Sequence, residues 1–145
     1  MLLQSVKVDQ PLGYFAAGTT KRTSAILDME GYDGVLFVAG LGTIIEAGTI
    51  DVFVEQNTID SAVGMARLAG QAIHTVTAAN ALLTSSAIAV DVYRPQERYL
   101  QCNITPAVQN AVILGICALR YKGRVTPDLN ANLLRQTVLA APAEA

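Results

Sequence analysis

Short runs in which apolar and polar residues alternate, cut at intervals by turn-forming residues, constrain this chain more than any other feature of its sequence. Ile50, Val52 and Val54 alternate with Asp51, Phe53 and Glu55, and Ile88, Val90 and Val92 with Ala89, Asp91 and Tyr93. Leu100, Cys102 and Ile104 alternate with Tyr99, Gln101 and Asn103. A period of two puts one set of side chains on one face of a strand, so each run predicts a strand that buries one face. Three runs, Ala25-Ile26-Leu27, Val35 to Val38 and Ala111 to Leu119, are continuously apolar and predict central strands covered on both faces. Turns are expected at Glu30–Gly34, Gly40-Leu41-Gly42, Glu46-Ala47-Gly48, Arg94–Glu97 and Thr105-Pro106. Many short strands with this punctuation predict an all-β fold, an antiparallel β-sandwich or jelly roll. Ser61 to Ala69 fits either one short helix or a looped strand, with Gly64 weakening the helix.

The C-terminal stretch reads differently. Thr126 is suited to cap a helix, Pro127 to its first position and Asp128 to the positive end of its dipole. Leu129, Leu133, Leu134 and Val138 then share one helical face. The expected organisation is a β domain over residues 1–124 and a C-terminal arm over 125–145, with those four side chains as its partner contacts. A stripe of that width needs a surface to cover it, since a short isolated helix is marginal in water.

A chain of 145 residues can bury about two-thirds of its unfolded surface, so it needs no disulfide or metal to fold. It is 52% hydrophobic and only 15% charged, against about a quarter charged in ordinary soluble domains, which predicts that some apolar surface meets another chain. The stretches without charge, Leu68 to Val90 and Tyr99 to Leu119, are broken by Gln71, His74, Asn80, Asn103, Pro106, Gln109 and Asn110, so no membrane-spanning helix is expected. The N-terminus reaches Lys7 and Asp9 without an apolar run of signal type, and assembly in the cytoplasm is expected. A net charge of −2 without a basic cluster argues against nucleic acid as a partner.

Chemistry-bearing residues are sparse. His74 is the single histidine, and a metal cluster around it would need cysteine and carboxylate partners that show no ligand spacing. Cys102 and Cys117 lie in apolar runs and are expected to be buried free thiols. No serine stands in a nucleophile elbow, and Gly40-Leu41-Gly42-Thr43 lacks the third glycine and the Lys-Ser/Thr ending of a phosphate loop. Asn103-Ile104-Thr105 has the form of a glycosylation sequon, which matters only in a secreted chain. Asp28, Glu30 and Asp33 have the wrong spacing for a calcium loop. Neither catalysis nor a cofactor is expected.

The segment Arg22 to Val38, followed by Gly42-Thr43-Ile44, resembles small structural proteins of tailed bacteriophages encoded among the head genes. The strand Ile50 to Gln56, the segment Tyr93-Arg94-Pro95-Gln96-Glu97-Arg98-Tyr99-Leu100 and the closing Ala111 to Tyr121 follow in the same order, so the resemblance covers about residues 22–124. It implies a β-sandwich or jelly roll on the outside of a capsid, acting as cement or decoration, with the major capsid protein and copies of itself, as dimer or trimer, for partners. A neck or tail component is the alternative. A carbohydrate-binding module fits less well, because sugar sites favour exposed aromatics and the chain has no Trp, three Phe and five Tyr.

Overall fold

The computed structural model describes residues 5–122, 133–140 and 143–145. Its strands are β1 (Val6–Leu12), β2 (Phe15–Gly18), β3 (Arg22–Thr23), β4 (Leu27–Asp28), β5 (Gly34–Ile44), β6 (Thr49–Asn57), β7 (Ala66–Arg67), β8 (Ala72–Thr75), β9 (Ser86–Tyr93), β10 (Tyr99–Ala107), β11 (Ala111–Tyr121) and β12 (Leu133–Ala140), with one short helix, α1 (Ala78–Ala81), between β8 and β9. They form two packed sheets. The front sheet has the order β1-β11-β5-β9-β12, with β2 also on β11; the back sheet has the order β3-β10-β6-β7, with β4 on β10 and β8 on β6. The chain is an all-β sandwich, as the alternation predicts.

The predicted periodicity is the periodicity of the core. Ile50, Val52 and Val54 of β6 and Leu100, Cys102 and Ile104 of β10 face Val35, Phe37, Ala39 and Leu41 of β5 and Ile88, Val90 and Val92 of β9 across the sandwich. Each large side chain removed from water stabilises the fold by about 1.5–3 kcal/mol before ordering costs. The intervening residues of each strand necessarily point away from the core.

Three expectations are corrected. Gly40-Leu41-Gly42 is no turn but lies inside the eleven-residue β5. Its glycines serve packing: a Cβ on Gly42 would stand 2.9 Å from Val112 Cγ1, and one on Gly40 would stand 3.4 Å from Leu114 Cβ, so β11 side chains lie across them. Thr105-Pro106 likewise continues β10, with Pro106 opposite Ile50. Of the apolar run at Ala25, only Leu27 joins a strand, the two-residue β4. Of the two readings open for Ser61 to Ala69 the structure has the looped strand, which carries β7, and a short helix lies at Ala78–Ala81, where Thr77 and Asn80 form a reciprocal capping box.

The largest correction concerns the C-terminus. Leu133–Ala140 is strand β12, parallel to β9, and not the second half of a helix. Without it, β9 would be an edge with a row of unpaired backbone groups; β12 satisfies them. A register shift between Leu133 and Arg135 lets both Leu134 and Leu139 turn inward, Leu134 against the core and Leu139 into it. Residues beyond β12 then reach the back sheet, where the Ala69 amide donates to the Ala143 carbonyl, the Ala145 amide donates to the Arg67 carbonyl, and Leu68 bridges Glu144. The expected arm of residues 125–145 is therefore, over its described residues, a clasp joining the two sheets of its own domain.

Candidate interaction face

Residues opposite one another in register share a face of the sheet, which allows the outer surface of the front sheet to be read row by row. Val8 of β1 is opposite Leu119 of β11, Leu119 opposite Leu36 of β5, and Leu36 opposite Asp91 of β9. The next row joins Cys117, Val38 and Ala89. Val112 and Leu114 continue this surface over Gly42 and Gly40. Val8 is 51% exposed and Leu114 45%, while Leu36, Val38, Val112, Cys117 and Leu119 are half-buried. These are the continuously apolar runs of the sequence. Among the described residues, the fold covers one of their faces fully and leaves the other half-buried to exposed.

The one charged side chain within these rows, Asp91, is buried and held by a tyrosine. Val6, Tyr121, Gly34 and Tyr93 form the row above. Gly34 has no side chain, and a Cβ there would lie 2.6 Å from the Tyr121 ring, so the ring crosses β5. The Tyr121 hydroxyl then donates to Asp91 Oδ1 at 2.5 Å. Burial raises the Asp91 carboxyl above its ordinary value, opposed by the Tyr121 hydrogen bond, and burial together with Asp91 raises the Tyr121 hydroxyl.

The outer face of the back sheet is its opposite in character. Thr23 donates to Asn103 Oδ1 at 2.7 Å, Asn103 donates to Glu55 Oε2 at 2.9 Å, and Arg67 pairs with Asp51 at 3.2 Å while lying over the Phe53 ring at 3.8 Å. Burial raises Asp51, with Arg67 opposing it. A sheet face this rich in paired polar groups is suited to water, although Asp51 Oδ1 is buried there without a hydrogen-bond partner.

One end of the sandwich is charged. Arg98 forms a bidentate pair with Asp28, both bonds 2.7 Å, and also reaches Glu30 at 2.6 Å; the Arg98 pair, with the Glu30 amide donating to Asp28 Oδ1, holds Asp28 down to about 2. Two clefts flank this cluster, one between Tyr32, Asp33 and the Arg94–Arg98 turn, the other among Lys7, Glu30, Tyr32 and Lys122. Beneath them the buried Arg120 donates twice to Asp9 Oδ2, at 3.0 and 2.9 Å, and once to the Asp28 carbonyl. Asp28 and Glu30 thus meet Arg98, the Asp33 carbonyl accepts from the Arg94 amide, and no group of three or more His, Cys, Asp or Glu suited to a metal occurs among the described residues.

His74 lies 2.8 Å from Asn80 Oδ1, which places it in the helix-capping cluster. Cys102 is buried and Cys117 is half-buried on the outer face of the front sheet; both are free and both are raised by burial. Of the four expected contact residues, Leu134 packs against its own core, Leu133 and Val138 contribute backbone to β12, and Leu129 lies outside the described residues. The outer face of the front sheet is a candidate that the sequence reading did not place on particular residues, although its signal, two-sided apolarity in β5 and β11, was present in the sequence.

No protein-family model and no curated protein matches the chain. Among solved structures it is similar to the structure of Eiger TNF from S. frugiperda, with a TM-score of 0.34 and 10% identity over 83% of this chain and 99% of that one. No helix among the described residues is long and apolar enough to cross a membrane.

Proposed function

We propose that the chain is a decoration protein of a tailed-phage head, which binds the outside of the assembled shell and associates with copies of itself through the outer face of its front sheet. The observation that carries the self-association is the row Val8, Leu119, Leu36 and its neighbours: a largely apolar sheet face, its one carboxyl Asp91 buried beside Tyr121, left uncovered among the described residues. The resemblance of residues 22–124 to phage head-gene products supplies the setting. A protein that binds only the assembled shell stabilises it by mass action, and a repeated lattice makes weak contacts sufficient.

The face spans about four strands, roughly 20 Å, by a similar height, or about 400 Å². That is about half of what each partner contributes to a standard stable interface. Association is therefore weak between isolated copies and strong on a lattice. The test uses Val8→Lys and Leu114→Lys, at two positions exposed enough to tolerate charge. Both variants should fold as the parent does and lose self-association in sedimentation equilibrium at high concentration. Unchanged association would remove the front face from the proposal. Copy number separates head from neck: parity with the major capsid protein supports decoration, and a small ring supports the alternative.

A further inference from the structure

Asp91 is only 4% exposed although it stands on the outer face of the front sheet, at the end of the row Val8, Leu119 and Leu36. Its carboxyl has exchanged most of its water for the Tyr121 hydroxyl, which donates to Oδ1. Among the described residues Asp91 forms no ion pair. A carboxylate so placed keeps its charge at a cost, and any surface laid over it removes the water that remains.

The elements packed around it supply no compensating charge. β5 places Leu36 opposite Asp91, and β11 contributes Tyr121 and, in the next row, Cys117. Tyr93 follows on β9 itself, and Asp33, just ahead of β5, adds a second negative charge that bears on the Tyr121 hydroxyl. On β12, Val138 is opposite Asp91 in register, and Arg135, the one charged residue of that strand, is exposed and pairs in register with Ile88, three residues away. Burial accordingly raises the carboxyl above its ordinary value, against the Tyr121 hydrogen bond.

Resting on the reading that copies associate through this face, we propose that the association is proton-linked: two front sheets close over Asp91 in its neutral form, so each pairing takes up protons. The sign follows from the partner being a second copy. None of the rows described for this face holds a lysine or arginine, so a two-fold pairing, which meets the same surface from the other side, brings no cation to either Asp91. A partner that delivered a lysine or arginine would favour the carboxylate and reverse the dependence. Association between copies therefore strengthens as pH falls through the folded value of Asp91, by up to about tenfold per pH unit for each proton taken up.

Sedimentation equilibrium of the full chain between pH 5 and pH 7, at fixed salt, tests this. The parent should associate more tightly at pH 5. Asp91→Asn should associate at pH 7 about as tightly as the parent does at pH 5, and change little between the two. Tyr121→Phe removes the hydrogen bond that favours the charged form, so its rise in association should begin at a higher pH than the parent's; it carries the test if the asparagine variant fails to fold. Association that Val8→Lys abolishes but that is constant with pH would overturn the proton linkage and leave front-face pairing standing. So would a dependence that survives in Asp91→Asn, as a general loss of net negative charge would give, or one that weakens towards pH 5, which would mean that the face receives a cation. No association at either pH, or association untouched by Val8→Lys, would overturn the front-face reading as well.

Discussion

Leu139 lies across Gly70, so close that a Cβ on Gly70 would stand 2.7 Å from Leu139 Cδ2. Gly70 has φ +100°, a conformation that other residues adopt only with strain. The contact brings the last strand of the front sheet against the loop between β7 and β8 of the back sheet. Leu139→Ala should cost about 2–5 kcal/mol, as for other buried leucines, and Gly70→Ala about 1–3 kcal/mol from strain alone. A chain ending at Arg124 should melt well below the full chain, because it loses both β12 and the bridge at Glu144. Denaturant unfolding of the three proteins checks this. Midpoints equal to the parent's would mean that the C-terminal clasp carries no stability.

The acid response follows from three carboxyls. Asp51 and Asp91 are raised by burial, so their contribution is fully present below the ordinary value of 3.8 and lost as pH rises through their folded values. Asp28, held down to about 2 chiefly by Arg98, contributes above 3.8 and loses that contribution as pH falls towards 2. Stability should therefore increase as pH falls through the folded values of Asp51 and Asp91 towards 4, and decline below it. Asp91→Asn should be more stable than the parent at pH 7 and show a flatter rise towards pH 4. Tyr121→Phe should lose about 1.5–3 kcal/mol at pH 7, the usual worth of a hydrogen bond to a charged group. Thermal melts across this range decide it; a parent profile that rises steadily from pH 4 to 7 would contradict the assignment.

The Asp9–Arg120 pair fastens β1 to the end of the sandwich, with the Arg120 side chain only 8% exposed. Asp9→Ala leaves that guanidinium with the Asp28 carbonyl and the Tyr32 ring as its remaining partners. The expected loss is about 3 kcal/mol, at the low end for a broken buried pair because Asp9 keeps some solvent. Urea titration measures it, and a loss below about 0.5 kcal/mol would mean the pair behaves as a surface one.

Both cysteines should remain thiols, with different access. Cys117 should react slowly with a thiol reagent in the native protein, since it is half-buried and raised, and Cys102 only on unfolding. Titration in denaturant without reductant should count two thiols. A count of none would indicate a disulfide.

The core was legible because burial of one face leaves a period-two trace: Ile50, Val52 and Val54 are apolar for the reason that they face Phe37 and its neighbours. What was not legible depends on partners distant in sequence. Gly40 and Gly42 look like a turn until Val112 and Leu114, some seventy residues on, are seen to lie across them. Leu133, Leu134 and Val138 fit a helical stripe equally well, and the open edge of β9 decides for a strand. The open face was hidden for a related reason: apolar runs in β5 and β11 report two-sided burial without saying whether the second cover comes from the same chain.

Imaging decorated heads at a resolution that shows strands tests the central claim most directly. The expected result is a coat with a copy number comparable to the major capsid protein, with front sheets meeting between copies. A head surface bare of this chain, or its confinement to a small ring at the neck, would contradict the account.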